Sequence, residues 1–258
     1  MRLQAQEATT KASTATAQVS TFMIDAPQLG GQKKIWIYVP KEYAATKKKY
    51  PVLYMHDAQN VFDNKTAFAG EWHVDETLDS LNAQVIVVAI EHGNEKRIDE
   101  LTPYSHEKYG GGKADTYLDF IVKKLKPEID KRYRTKSNAK NTGIMGSSLG
   151  GLVSFYAALK YPEVFGKAGI FSPSFWFSKD IYTLAEKSDK IKTKMYFLCG
   201  DHESEEMVPD MEKMIKLVVI KQDRNTDLIK ETVVPGGEHN EKLWGRSFAK
   251  AFTWLYNN

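Results

Sequence analysis

The hydrophobic positions of this chain fall into short apolar runs separated by longer stretches of mixed pattern. Lys34 to Val39, with Ile35, Trp36, Ile37 and Tyr38 inside it, is rich in β-branched and aromatic residues and predicts a strand stopped by Pro40. Lys41 to Tyr50 is a polar loop. Pro51 to Met55 predicts a buried strand. Val85 to Ile90 carries no charge, which predicts a central strand buried on both faces. Gly110-Gly111-Gly112 reads as a flexible turn before a long helix from Ala114 to about Asp130, with Tyr117, Phe120, Ile121 and Leu125 as its apolar stripe. Pro127 falls within that pattern and should kink or interrupt the helix near its end.

Further strands are expected over Thr142 to Met145, Lys167 to Phe171, Lys194 to Cys199 and Glu231 to Val234. A helical pattern runs from Leu152 to Leu159. Met207, Met211, Met214 and Val218 repeat at helical spacing, and such a stripe reads as core. The last helix spans Glu241 to about Tyr256, with Leu243, Trp244, Phe248, Phe252 and Leu255 on one face. Strands alternating with helices give an α/β class with a mainly parallel sheet and helices on both faces. Met1 to Ser20 is polar and aperiodic, so residues 1–20 are expected to form a disordered or loosely held arm and residues 21–258 a single domain. No h-region is visible in the arm, so it is not an intact signal peptide.

Composition narrows the function classes. The 258 residues carry 36 basic and 33 acidic side chains. A net charge of +3 gives no reason to invoke nucleic acid or an anionic membrane as partner. No apolar run is long enough to span a bilayer. Cys199 is the one cysteine, which leaves no intrachain disulfide.

The chemistry centres on Gly146-Ser147-Ser148-Leu149-Gly150. This G-x-S-x-G sits between a predicted strand and a predicted helix, the setting in which a strained turn lifts a serine hydroxyl clear of the sheet. Ser148 is the candidate nucleophile. A serine needs a base, and the base an orienting acid. On a strand–helix scaffold of this kind the order along the chain is Ser, then Asp or Glu, then His. Two histidines follow Ser148, and His239 lies in Pro235 to Asn240, between the late strand and the last helix, where the base belongs. His202 reads as a surface residue. The acid comes from the loop Gly200 to Glu206, where Asp201, Glu203, Glu205 and Glu206 crowd together and residue chemistry does not choose among them.

The chain resembles the Putative esterase family of α/β-hydrolases, which includes feruloyl and acetylxylan esterases, siderophore trilactone esterases, S-formylglutathione hydrolase and the mycolyltransferases. The resemblance runs from about Lys34 to Trp254. It rests on Tyr50 to Asn60, Glu71-Trp72, the serine pentapeptide, Ser172-Pro173-Ser174-Phe175-Trp176 and Gly237-Glu238-His239. It implies an α/β-hydrolase fold and ester hydrolysis, without cofactor or metal, by Ser148, His239 and Glu203. Asp201 and then Glu205 are the alternative acids. It also implies an oxyanion hole from the N–H groups of Leu149 and Gln59. Relatives commonly have glycine where this chain has Ala58; if that position needs φ > 0, alanine is strained there and Gln59 is displaced. His56 and Asp57 lack a third metal ligand and are expected to shape the oxyanion loop. Trp72, Phe175, Trp176 and Trp244 flank the motif loops as candidates to line an acyl or aryl pocket. Arg97 is a candidate to bind a substrate carboxylate or polar head group. The implied substrates are acyl or feruloyl esters of carbohydrates, with a trilactone siderophore, or acyl transfer to an alcohol, as rivals.

Overall fold

The computed structural model describes residues 11–222 and 226–256. Among the described residues ten strands form: β1 Val19–Ala26, β2 Gly31–Tyr38, β3 Val52–Met55, β4 Ile86–Ile90, β5 Ser105–His106, β6 Gly110–Gly111, β7 Thr142–Ser147, β8 Lys167–Phe171, β9 Lys194–Gly200 and β10 Ile229–Val234. Eight of them make one sheet in the order β1-β2-β4-β3-β7-β8-β9-β10. From β4 to β10 every neighbouring pair is parallel. The pairs β1/β2 and β2/β4 are antiparallel and form one edge. This is the mainly parallel sheet expected from the apolar runs, and it fits the α/β-hydrolase fold that the resemblance implies.

The inner strands are apolar on both faces because both are covered. In β3, Val52 and Tyr54 enter one core cluster, and Leu53 and Met55 enter the other. The helices are α1 Val74–Ser80, α2 Arg97–Leu101, α3 Ala114–Phe120, α4 Lys126–Arg132, α5 Leu149–Lys160, α6 Asp180–Lys187, α7 Met207–Lys221 and α8 Glu241–Tyr256. Helices α3, α5, α6 and α7 supply the first cluster; α1 and α8 supply the second. Met207, Met211, Met214 and Val218 are buried on α7, as their spacing indicates.

Several expectations need correction. The polar arm does not extend to residue 20: Val19 and Ser20 already pair with Tyr38 and Ile37, and Thr16 N–H is hydrogen-bonded to Asp75. The part of that expectation covering residues 1–10 lies outside the described residues. β1 was hidden because it is an edge strand, whose outward positions are polar. β4 is fully buried but is third from the edge; β3 and β7 hold the middle. The three glycines are no loose turn: Gly110 and Gly111 pair with His106 and Ser105 in a small hairpin. Pro127 is accommodated by a π-helical turn, Ile121–Leu125, in which Lys126 N–H reaches Ile121 O five residues back. The chain then continues helically to Arg132.

The passage from β7 into α5 depends on close backbone approach. A Cβ on Gly151 would lie 2.5 Å from the Phe171 carbonyl oxygen and 3.2 Å from Pro173 Cα. Gly151→Ala is therefore expected to push α5 off β8 and to lower unfolding stability by about 2 kcal/mol, read as a reduced denaturant midpoint.

Candidate active site

The site is assembled at the carboxyl ends of the parallel strands, where α/β sheets place their ligands. Between β7 and α5, Ser148 takes φ 58° and ψ −121°, a backbone region L-residues rarely enter. The turn is fastened from both sides. Ser148 N–H donates to Phe171 O at 2.9 Å, and Leu152 N–H donates to Ser148 O at 3.0 Å. The serine hydroxyl faces a cleft of about 650 Å³ whose walls include His56, Asp57, Gln59, His239 and Trp244.

The loop that carries Glu203 follows β9 and the loop that carries His239 follows β10. These are parallel neighbours, so their carboxyl ends lie side by side. Gly200 and Gly237 touch backbone to backbone, and a Cβ on Gly200 would run into the Gly237 carbonyl. Across this contact, His239 Nδ1 lies 2.6 Å from Glu203 Oε2. The Glu203 side chain is 1% exposed and the His239 side chain 37%. Glu203 Oε1 accepts from Gly200 N–H at 2.6 Å and from Ser172 Oγ at 2.7 Å. Ser172 Oγ in turn accepts from Trp244 Nε1 at 2.7 Å, and the Trp244 ring packs edge-on to His239. The other carboxylates of the loop lie elsewhere: Asp201 accepts from Gly236 N–H, and Glu205 and Glu206 are exposed. Among the described residues, Ser148 Oγ makes its hydrogen-bond contact with Ser174 Oγ, at 3.3 Å, rather than with His239. Such contacts commonly tighten only when substrate is bound.

The loop after β3 forms the opposite wall. Its strained residue is Asp57, at φ 55°, and not Ala58, which is buried in the 3-10 turn Ala58–Asn60. The strain anticipated for alanine is therefore absent. In that turn Asn60 N–H bonds Asp57 O, so Gln59 N–H comes too early to have a partner within it. Leu149 opens α5, where first-turn N–H groups have no intrahelical partner. The Gln59 side chain clamps the loop by pairing with the backbone of His92, at 3.3 Å in both directions.

Asp57 is held by Arg97. Nε and one terminal nitrogen of the guanidinium each lie 2.8 Å from a carboxylate oxygen. Burial alone would raise the Asp57 carboxyl, but the Arg97 charge and hydrogen bonds override it and hold the carboxyl below its usual range. His56 is buried, with Nδ1 2.8 Å from Tyr117 OH, and burial pushes its imidazole down to about 4. A neutral His56 packs against Gly146 of the serine turn, where a Cβ would lie 2.9 Å from its Cδ2.

The aromatic candidates divide. Trp72 and Trp244 line the cleft, with Trp72 stacked on Phe171 at 5.5 Å between centroids. Trp176 is exposed and packs with His106, Tyr109 and Phe177, outside the cleft lining. Phe175 is buried against Phe155 and Tyr182. Arg97 borders the cleft, but its fork is committed to Asp57. Ser174, beside Ser148, and Ser172, beside Glu203, were not assigned roles from sequence. Their one signal was membership of the Ser172 to Trp176 motif. Glu241 also enters the cleft, accepting from Asn60 Nδ2 at 3.1 Å. Among the described residues no helix is long and apolar enough to cross a membrane.

The family model Putative esterase matches residues 26–255. Uncharacterized protein YbbA of Bacillus subtilis is 28% identical over 239 residues, covering 88% of this chain and 93% of that protein. The endo-1,4-beta-xylanase/feruloyl esterase of Xylanibacter ruminicola is 24% identical over 230 residues, 85% of this chain but 29% of that protein. Among solved structures, the BES protein from Bacillus cereus superposes with TM-score 0.75 at 20% identity, over 99% of this chain and 98% of that one. The enterobactin esterase FES from Shigella flexneri gives 0.74 at 18% identity, over 94% and 59%. The chain belongs to the Putative esterase family and is a carboxylic ester hydrolase.

Arg97→Met would leave the Asp57 carboxylate buried without its partner. The expected cost at neutral pH is about 3 kcal/mol by denaturant unfolding. Because the native Asp57 pKa is depressed, its contribution is present above the unfolded carboxylate value of about 3.9 and is lost as pH falls through the native one. The gap between wild type and variant should accordingly persist at neutral pH and narrow in strong acid.

Proposed function

We propose that this esterase works through an acyl-enzyme on Ser148, with His239 as base and Glu203 as orienting acid, on acyl or feruloyl esters of carbohydrates. The observation that carries the triad is the 2.6 Å contact between His239 Nδ1 and a Glu203 carboxylate 1% exposed to solvent, in a loop facing the same cleft as Ser148. Ser148 Oγ attacks the ester carbonyl as His239 Nε2 takes its proton. Glu203 Oε2 accepts the Nδ1 hydrogen and stabilises the imidazolium. The Leu149 and Gln59 N–H groups receive the developing oxyanion, and such donors are worth about 2.7–4 kcal/mol each in comparable enzymes. His239 then protonates the leaving alcohol, and water, activated by the same imidazole, releases the acyl group.

The cleft supports the substrate class. Phe68, Trp72 and Trp244 supply apolar and aromatic surface for an acyl group, while Asn60, Thr66, His92 and Asn94 offer polar groups to a hydroxylated alcohol. The likeness to a protein named for feruloyl esterase activity points the same way. A trilactone siderophore is the second reading, suggested by the fold shared with an enterobactin esterase. Against it, Arg97, the one arginine or lysine lining the described cleft, is already paired with Asp57.

Ser148→Ala should lower kcat/KM on a short-chain aryl ester by about 10⁴ or more, and Glu203→Gln by roughly 10²–10⁴. Asp201→Asn and Glu205→Gln should stay within a few-fold of wild type. A larger loss at Asp201 than at Glu203 would move the acid. Hydrolysis of a feruloylated sugar faster than of a catecholate trilactone is the expected ranking, and the reverse would establish the second reading. Ester product formed on an added sugar alcohol would instead reveal acyl transfer.

A further inference from the structure

Beside residues 60 and 61, the short segment Glu71–Trp72–His73 leads into α1. Trp72 N–H bonds Asn60 O, and Val74 N–H bonds Val61 O. Trp72 enters the aromatic core, while the Glu71 and His73 side chains meet each other. His73 then takes φ 55° and turns the chain into α1, which returns Glu76 to the same place. One donor atom each of Glu71, His73 and Glu76 lies within 4.8 Å of the other two.

The carboxylates in this cluster are only half satisfied. Glu71 Oε2 accepts from Thr14 Oγ1 at 2.7 Å and lies 3.3 Å from His73 Nδ1, while Oε1 of the same carboxylate is buried with no partner. The Glu71 side chain is 1% exposed. Asp75, 0% exposed, accepts from Thr16 N–H at 2.7 Å through Oδ2. Its carboxyl lies against that of Glu76, and burial together with this neighbour pushes it up to about 7. Glu76 Oε1 lies 3.2 Å from His73 Nδ1. Among the described residues, His73 is the basic side chain paired with Glu71 and Glu76. Buried carboxylate oxygens without hydrogen bonds or a full counter-charge are costly, and burial without compensation is rarely retained. A cation held between Glu71, His73 and Glu76 would supply the charge that this cluster lacks. Access is available: Glu71 and His73 also line a second cleft of about 650 Å³ that opens to solvent beside α8.

We propose that Glu71, His73 and Glu76, with Asp75 behind them, form a binding site for a divalent transition-metal ion, Zn²⁺ or Mn²⁺. Carboxylate oxygens with one imidazole nitrogen suit these ions, whereas an oxygen-only shell would suit Ca²⁺. The site is separate from the ester-cleaving machinery and would act on structure. The ion would fix Glu71, and through it Thr14, and would hold the segment whose Trp72 lines the catalytic cleft.

The test uses the full chain, stripped with EDTA and desalted. Isothermal titration with Zn²⁺ and with Mn²⁺ is run on wild type, Glu76→Gln and His73→Asn. Both substitutions fall at partly exposed positions, and asparagine tolerates the positive φ of residue 73. Circular dichroism checks that each variant is folded. The expected result is one ion bound per chain for wild type, with affinity at least tenfold weaker in both variants. Ion at about 100 times its Kd should raise the wild-type Tm by about 5–10 °C and leave the variants nearly unmoved. Stripped wild type that takes up neither ion stoichiometrically would overturn the proposal, as would affinity unchanged in both variants. Ca²⁺ binding as tight as Zn²⁺ binding, and insensitive to His73→Asn, would overturn the imidazole-ligated site.

Discussion

The strained turn at Ser148 is the constraint around which the rest is arranged. A parallel strand ends at Ser147, and a helix must begin at Leu149 and run back across the sheet. One residue makes the change of direction, and it sits at φ 58°. Holding a non-glycine residue there costs on the order of 1–3 kcal/mol. The surroundings offset that cost through the bonds to Phe171 O and Leu152 N–H and through the bare glycine surfaces where α5 meets His56 and Phe171. The same strain exposes the hydroxyl to the cleft and places Leu149 N–H at a helix start, so one distortion supplies both the serine and a candidate oxyanion donor.

Glu203 solves a different problem. A carboxylate nearly sealed from water is stable only if its lone pairs are used. Here Gly200 N–H, Ser172 Oγ and His239 Nδ1 use them. Asp201 sits at the turn itself and bonds Gly236 N–H, which ties the two loops together without reaching the imidazole. Two carboxylates of one loop thus have distinct tasks set by position. The close passage of Gly200 and Gly237 fixes the separation of the loops that the short Glu203–His239 contact requires.

The parallel strands were legible in the sequence because burial on both faces makes them unbroken apolar runs. β1 was not, because an edge strand alternates with solvent and looked like the tail of a polar arm. Helices α1 and α2, of seven and five residues, were too short to show a period. The serine and histidine candidates could be read from motif and order, but the choice of Glu203 came from resemblance, since four neighbouring carboxylates are indistinguishable without the burial that separates them. Arg97 and Trp176 show the limit of reading proximity in sequence as proximity in space. Arg97 lies past the end of β4, as expected, yet faces Asp57. Trp176 is two residues from Ser174 but turns outward onto the small hairpin β5–β6.

The cleft is therefore braced by two kinds of electrostatics. On the side of the loop after β3, Asp57 occupies a left-handed conformation that would cost stability alone, and the bidentate Arg97 pair offsets this with a charge from α2. That wall is complete within the described chain. On the outer side, the Glu71 and Glu76 carboxylates share one imidazole, and Asp75 packs its carboxyl against Glu76. His73 shares with Asp57 and Ser148 the feature of a non-glycine residue at positive φ immediately before a helix or turn. In the first two cases the strained residue aims a group at a partner or a cleft. At His73 it aims an imidazole at carboxylates that one imidazole cannot satisfy, which is the physical ground for placing a further positive charge there.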